Sequence, residues 1–222
     1  MTQLEERKET AAPGRSQAAV KRVMDIVLSL ALVTIVAPLL LILCLLVRAT
    51  SAGPALFRQE RLGRNKQPFI LLKLRTMHVD NDDQIHRDYV TSLLSTDGPA
   101  PAGDARLFKL DADPRITRLG AWLRRTSLDE LPQLVNVLRG EMSLVGPRPV
   151  LLWEAPMFGE SYQRRFAVKP GMTGLWQVSG RSRLPMRKAL ELDVEYVARR
   201  SLLLDLIILA RTVPAVFRGG AT

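Results

Sequence analysis

Cysteine, histidine and aromatic residues are scarce in this chain. Cys44 is its single cysteine, so an intramolecular disulfide is excluded. His78 and His86 are its two histidines, and without companion cysteines they give no support to a Cys/His zinc site. Aromatic residues make up 5%, thin for a protein that stacks on single-stranded bases. No internal repeat is visible. What the chain does carry is positive charge, a formal net +10 over 222 residues. That balance points to an anionic partner, either nucleic acid, a phospholipid surface or a phosphorylated substrate, and the low aromatic content weighs against nucleic acid. At 47% hydrophobic residues the chain can bury the core of one domain with an appendage.

A second absence is local. Ile26 to Val47, IVLSLALVTIVAPLLLILCLLV, contains no charged residue. At the rise of an α-helix this stretch reaches roughly 33 Å, enough to cross a bilayer core. A helix apolar on every face is rarely part of a soluble core. A cleaved signal peptide is the main rival, but the run is longer than such segments have, and Arg48 stands before any cleavage site. Two features favour a segment that enters the membrane and returns. Pro38 lies near its middle and removes a helical hydrogen bond. Both flanks are basic, Lys21 and Arg22 before it and Arg48, Arg58, Arg61 and Arg64 after it, and positive charge prefers the cytoplasmic side. The competing reading is a kinked helix that spans. The expected organisation is a disordered tail over 1–20, a re-entrant membrane helix over 21–48 with its bend at Pro38, and a membrane-associated domain over 49–222.

Within that domain, PALFRQERLG and PFILLKLRTM read as two extended segments around RNKQ, a hairpin. The polar stretch from Asp80 to Asp104 reads as a surface excursion with a short helix around QIHRDYVTSLL. DPRITRLGAWLRR reads as a helix that starts near Arg115. Leu131, Leu134, Val135 and Leu138 then mark one face of another helix, with Gly140 placed to stop it. SLLLDLIILARTVPAVF has an apolar face suited to a membrane interface or to the core. Trp122, Trp153 and Trp176 suit the core or the headgroup level.

The stretch TSLDELPQL sets Asp129 and Glu130 side by side where that second helix begins. Ser127 with Glu130 matches a capping box, and Asp129 as the N-cap would place Pro132 more comfortably. Either start puts both carboxylates at the positive end of a helix dipole. Capping is the ordinary reading of such a cluster, but the surroundings favour chemistry. Arg148 is held between Pro147 and Pro149, and a rigid guanidinium fork suits a phosphate. KPGMTGLWQVSGR adds Lys169 and Arg181, and LKLRTM adds Lys73 and Arg75. Arg124 precedes the carboxylates. A carboxylate pair among fixed cations suits phosphoryl transfer, in which positioning and charge neutralisation carry most of the catalysis.

These motifs, taken in order, resemble the bacterial sugar transferases, the monotopic polyprenyl-phosphate phosphoglycosyl transferases. The resemblance runs from KRVMD through LFRQERLG, FILLKLRTM, DPRITRLG, SLDELPQLVNVLRGEMSLVGPRP and PGMTGLWQVSGR to LELDVEYV and SLLLDLIIL. It implies an α+β, predominantly helical protein. A re-entrant N-terminal membrane helix would be followed by a small cytoplasmic catalytic domain with interfacial amphipathic helices, on the cytoplasmic face of the inner membrane. It implies transfer of a sugar-1-phosphate from a UDP-sugar to undecaprenyl phosphate, with UMP released, at the start of a surface polysaccharide or glycan. It implies Asp129 as nucleophile, forming a sugar-phosphoryl-aspartate, and Glu130 as metal ligand, base or cap. Mg²⁺ would be held by Asp129 and Glu130. Arg148, Arg124, Lys73, Arg75 and Arg181 form the expected phosphate-binding set. Ala37-Pro38 departs from the Ser-Pro bend of some members. A sugar-only transferase and a non-enzymatic basic membrane scaffold remain as other readings. The sugar is not specified, and a homodimer is expected only as the commonest assembly.

Overall fold

The computed structural model describes residues 15–79, 87, 88, 91, 113, 115–180 and 184–218. The expected tail lies outside them as far as residue 14, and so does Arg181. Of the excursion between Asp80 and Asp104, only Arg87, Asp88 and Thr91 are described, all three helical.

Helix α1, Arg15–Thr50, is 36 residues long and continues through Pro38. It begins at Arg15 rather than Lys21, since Gln17, Ala18 and Ala19 are good helix formers and extend it into the expected tail. The helix is long and apolar enough to cross a membrane. One stripe of it is nevertheless built into the domain. Asp25, Ser29, Leu43 and Val47 are buried, and Val33 and Val36 pack against a core cluster between them. These positions recur at the three-to-four-residue spacing of one helix face. Val27, Leu30, Ile35, Leu41, Ile42 and Leu45 are left exposed.

The expected hairpin is present. Strands β1, Leu56–Leu62, and β2, Pro68–Leu74, pair antiparallel from Leu56 opposite Leu74 to Leu62 opposite Pro68. Asn65 and Lys66 turn the chain with positive φ, which Asn tolerates by bonding locally. Helix α2, Arg118–Thr126, starts later than expected because Thr117 takes the N-cap, its hydroxyl accepting from the Gly120 amide at 2.9 Å. Arg115 instead pairs with Asp113 ahead of the helix, at 2.8 Å.

Neither expected start of the next helix is adopted. Ser127 stands at φ 58° with no side-chain cap bond, and Leu128–Glu130 forms a 3₁₀ turn. The α-helical part, α3, runs only over Gln133–Arg139. The physical reason is Pro132, which has no N–H and stands at the junction, while 3₁₀-type bonds carry the chain across it, Glu130 N to Ser127 O and Leu131 N to Leu128 O. The two carboxylates therefore sit in a tight turn before a short helix. The dipole support expected for them is correspondingly weaker. Gly140 ends α3 at φ 85°, as expected.

Strand β3, Ser143–Val145, pairs parallel with β4, Gly171–Thr173. Between them the chain winds through 3₁₀ turns at Ala155–Met157 and Glu160–Ala167. Helices α4, Leu175–Ser179, α5, Met186–Arg199, and α6, Leu202–Arg218, complete the described chain. The fold is thus mostly helical with two small sheets.

Three apolar clusters hold it. Val150, Phe158, Phe166, Trp176 and Leu190 form one, with Trp153 packed on it and the Arg87 guanidinium 5.4 Å over the Trp153 ring. Phe69, Leu134, Met142, Val145, Tyr196 and Ile208 form the second, against Val33 and Val36 of α1. Leu43 and Val47 of α1 enter the third with Leu74 and Leu123. Burial of each such side chain contributes about 1.5–3 kcal/mol. Trp122 is the exposed tryptophan. Helix α6 places Ile208 in the core and leaves Leu203, Leu206, Ile207 and Val213 exposed.

Polar bonds fix how α1 meets the domain. Lys21 donates to Asp205 at 2.7 Å and to the Val145 carbonyl at 3.3 Å. Tyr196 donates to the other Asp205 oxygen at 2.7 Å. Arg22 donates to the Val137 and Leu138 carbonyls at the C-terminus of α3, the first of which also accepts from the Gly140 amide. Asp25 accepts from the Ser143 hydroxyl and the Leu144 amide, both at 3.1 Å. Burial first, and then the Asp205 charge, push the Tyr196 phenol above its ordinary pKa, so it stays a donor. Asp205→Ala should destabilise the protein by about 3 kcal/mol, because Lys21 and Tyr196 lose a shared buried partner. Glu195→Ala, which removes an exposed pair with Arg199, should change stability by less than about 0.5 kcal/mol. Thermal melting of the two variants in detergent tests the difference.

Candidate functional site

The hairpin, the 3₁₀ turn and the two-stranded parallel sheet converge on one groove. Arg61, Leu71 and Lys73 reach it from the hairpin. Glu130 and Gln133 come from the 3₁₀ turn and α3, Arg148 and Pro149 from the loop after β3, and Gly171, Met172 and Gln177 from β4 and α4.

Each wall has a local cause. Asn136, fully buried, accepts from the Leu72 amide at 3.0 Å and donates to the Ile70 carbonyl at 2.7 Å. It thereby completes the free edge of β2 with a side chain and docks α3 against the strand that carries Lys73. That docking brings Lys73 Nζ within 3.3 Å of Glu130 Oε1. On the opposite wall, the Leu62 amide donates to the Val150 carbonyl at 2.9 Å, and Arg61 donates to the Pro149 carbonyl at 3.3 Å. The Pro-Arg-Pro turn is thus tied to the end of β1.

The floor depends on close backbone approach. Gly171 N donates to the Pro147 carbonyl at 2.8 Å, and Gly146 N to the Thr173 carbonyl at 2.9 Å. A Cβ at Gly171 would stand 2.1 Å from the Gly146 nitrogen, so only glycine lets these two backbones meet.

The structure separates the residues expected at the site. Lys73, Glu130 and Arg148 share the groove. Asp129 is buried at 3% exposure beside it and does not line it. Arg124 lies in the field of Asp129 and Glu130 and donates from Nε to the Thr76 hydroxyl at 2.9 Å. Burial lowers the Arg124 guanidinium from its ordinary value, and the Asp129 charge opposes that shift most strongly. Arg75 points elsewhere. It is buried, and its Nη2 donates to the carbonyls of Val47, Ser51 and Gly53 at the end of α1. A cation near a helix C-terminus is favoured by the open carbonyls there, so Arg75 supports the membrane helix rather than the groove. Arg181 is outside the described residues. Pro38 is exposed on α1, remote in sequence from the groove walls.

Sequence reasoning missed Gln133, Gln177 and the groove role of Arg61. Gln133 is 3% exposed yet lines the groove, so its amide faces inward. Glutamines carry no distinguishing local pattern, and Arg61 read simply as flanking charge. The signal that could have found it is the alternation of β1, which puts Gln59 and Arg61 on one face, where Arg61 donates to the Gln59 side chain at 2.6 Å.

Chemically, the groove joins a carboxylate to three cationic side chains and two amides, with a second carboxylate adjacent in sequence. Such a lining suits a phosphorylated ligand. Among the described residues no group of three or more His, Cys, Asp or Glu converges. A small hard cation held by one or two carboxylates and a substrate phosphate needs no such group, so the donor chemistry of Asp129 and Glu130 fits Mg²⁺.

Comparison with known proteins agrees with this chemistry. The family model for bacterial sugar transferases matches residues 16–219. The chain is 42% identical over 204 residues to an undecaprenyl-phosphate galactose phosphotransferase of Salmonella typhimurium, covering 92% of this chain and 42% of that protein. It is 42% identical to a UDP-glucose:undecaprenyl-phosphate glucose-1-phosphate transferase of Caulobacter vibrioides, covering 88% of this chain and 69% of the relative. It is 40% identical to the exopolysaccharide production protein ExoY of Sinorhizobium fredii, covering 88% of this chain and 84% of that protein. The chain spans about two fifths of the length of several curated relatives that it matches, the Salmonella protein among them.

Gly171→Ala should cost about 1–3 kcal/mol, as the β3 and β4 loops are forced apart. Gly159→Ala, whose Cβ would meet nothing nearer than 4.0 Å, should stay within about 0.5 kcal/mol of the parent. The two melting temperatures, taken in the same detergent, check this.

Proposed function

The chain belongs to the bacterial sugar transferase family, and from that premise we propose that it transfers a sugar-1-phosphate from a UDP-sugar to undecaprenyl phosphate and so begins a polysaccharide or glycoconjugate. The observation that carries this reading is the convergence of Lys73, Glu130 and Arg148 on one groove beside the buried Asp129. The activities for which the Salmonella and Caulobacter relatives are named support the substrate classes.

In the proposed reaction an Asp129 oxygen attacks the phosphorus that bears the sugar. A phosphorus–oxygen bond to Asp129 forms, the bridging bond to the uridylyl phosphate breaks, and UMP leaves with that electron pair. An oxygen of undecaprenyl phosphate then attacks the same phosphorus and expels the Asp129 carboxylate. Splitting the displacement into two steps suits a carboxylate nucleophile. Arg148 and Lys73 bind the diphosphate and offset its repulsion of the attacking carboxylate. Arg124 lies in the field of Asp129. Glu130, 3.3 Å from Lys73, is available to hold a cation or to accept a proton. Asp129 and Glu130 would hold Mg²⁺, which supplies neutralisation of the diphosphate charge. Burial of Asp129 below the groove means that the carboxylate must turn towards bound donor, and the tight 3₁₀ turn that carries it limits that movement to the side chain.

On the same premise we read the protein as lying at the cytoplasmic face of the inner membrane, with α1 in the bilayer and both of its ends on one side. Support comes from packing. Asp25 and Ser29 before Pro38, and Leu43 and Val47 after it, are buried against the same polar domain. A spanning helix would carry one of those contacts through the hydrocarbon. Exposed leucines and isoleucines of α1 and α6 supply the lipid-facing surface.

The deciding experiment for the activity incubates the detergent-solubilised protein with Mg²⁺, undecaprenyl phosphate and a panel of UDP-sugars, and identifies the nucleotide released. UMP is expected with one sugar, and chelation of Mg²⁺ should abolish its release. UDP would mean sugar-only transfer and would remove the role of Asp129. No nucleotide from folded protein would favour the scaffold reading. Asp129→Asn should abolish turnover with the protein still folded, and Arg148→Ala should impair it far more than Arg199→Ala, whose side chain is 70% exposed. For topology, Ser16→Cys and Ala52→Cys, each in a Cys44→Ala background, should react with an impermeant maleimide from the same membrane face. Labelling from opposite faces would establish a spanning helix instead.

A further inference from the structure

Arg165 and Asp193 form an ion pair at 2.5 Å in which each side chain is 2% exposed. The pair lies away from the carboxylates, on the Glu160–Ala167 turn and on α5. In an apolar interior such a pair is expensive to desolvate, and packed hydrophobic side chains in its place are often as stable or more so. Here the cost is not fully offset. Arg165 Nε and Nη1 and Asp193 Oδ1 are buried without a hydrogen-bond partner. The guanidinium instead rests against the Phe158 and Phe166 rings, at 5.1 and 5.7 Å. Burial pushes the Asp193 carboxyl up to about 6 even though Arg165 pulls it down.

What the pair does that an apolar replacement could not is hold Arg148. Arg165 Nη2 donates at 2.9 Å to the carbonyl oxygen of Arg148. The same nitrogen donates to Asp193. The Arg148 amide and guanidinium also act on the Asp193 carboxyl, both lowering it. The residue between the two prolines is therefore gripped through its own backbone from behind, while its side chain faces the groove. Pro147 and Pro149 fix their own φ angles, and Pro149 narrows the backbone of Arg148, but neither bonds to the Arg148 carbonyl. A bond to the Arg148 carbonyl supplies what the prolines do not.

We propose that the buried Arg165–Asp193 pair is a positioning device for the Pro-Arg-Pro turn, orienting Arg148 towards the phosphate groups of the donor. The inference rests on the proposed phosphate-binding role of Arg148. Neither residue touches substrate, so both are positioning residues, and their whole effect on turnover passes through Arg148. An orienting contact of this kind matters because displacing a charged group by about 1 Å can cost on the order of a hundredfold in rate.

The test is a double-mutant cycle on the full chain in detergent, reading kcat and KM for UMP release from the accepted UDP-sugar. Asp193→Asn and Arg165→Lys are each made alone and with Arg148→Ala. Lysine keeps a charge for Asp193, but its side chain is shorter and lacks the planar face set against the Phe158 and Phe166 rings, so its ammonium does not take the place of Nη2 and it is the variant that decides if Asp193→Asn does not fold. Each single variant is expected to lower kcat/KM by at least about tenfold in the parent. In the Arg148→Ala background neither should lower it further, since the group being positioned is gone. Losses that multiply in the double variants would assign the pair to general stability and overturn the proposal. So would unaltered kinetics in a folded single variant, or loss of folding in both Asp193→Asn and Arg165→Lys. Parent-like turnover in Arg148→Ala alone would instead remove the phosphate-site reading on which the inference stands.

Discussion

An apolar helix that faces lipid has no way to choose its depth or rotation from hydrophobicity alone, because every apolar face is equally soluble in hydrocarbon. The polar stripe near the start of α1 removes that freedom. Lys21 reaches Asp205 on α6, Arg22 closes the carbonyl end of α3, and Asp25 takes the Ser143 hydroxyl and Leu144 amide of β3. Three side chains within a turn and a half of one helix thus bond to three different elements of the domain. None of these groups would find a partner in lipid. The exposed side of α1 is then directed outward by geometry, with Ile35, Leu41 and Leu45 among the side chains it presents.

The groove inherits its shape from those anchors. α3 is bound at its end by Arg22 and along its side by Asn136, which substitutes for a missing strand at the edge of β2. Glu130 and Asp129 lie immediately ahead of α3, so their position relative to Lys73 follows from the same docking. β3 is held by Asp25, and the loop that leaves β3 carries Arg148. The membrane helix and the charged groove are therefore one construction. The bonds from α1 to α3 and β3 make that link rigid.

Much of this was legible in the chain. The uncharged run, the hairpin around RNKQ, the face made by Leu134 and its neighbours and the stop at Gly140 all follow from local rules of period, turn and cap. That Lys73, Glu130 and Arg148 belong among the candidate residues followed from residue type and motif. Other features did not. Arg75 sits two residues from Lys73 and reads as its equal, yet it bonds to the carbonyls at the end of α1. Asp205 reads as a stray charge in an apolar helix until Lys21, far away in sequence, is brought to it. Ser127 and Asp129 both satisfied a capping rule, but Pro132 and the bonds from Glu130 and Leu131 favoured a 3₁₀ turn.

By itself the sequence determined the hairpin, most of the helices, the long apolar segment, the positive charge and the residue kinds that suit phosphate, since each depends on composition or on neighbours within a few positions. The tertiary structure alone decided which cations face the groove, which carboxylate lines it and which is buried, and which polar groups pair across long separations. Local sequence cannot fix those outcomes. A charged side chain goes wherever its desolvation is best compensated, and the partners that compensate it are set by packing of elements more than a hundred residues apart, as with Lys21 and Asp205.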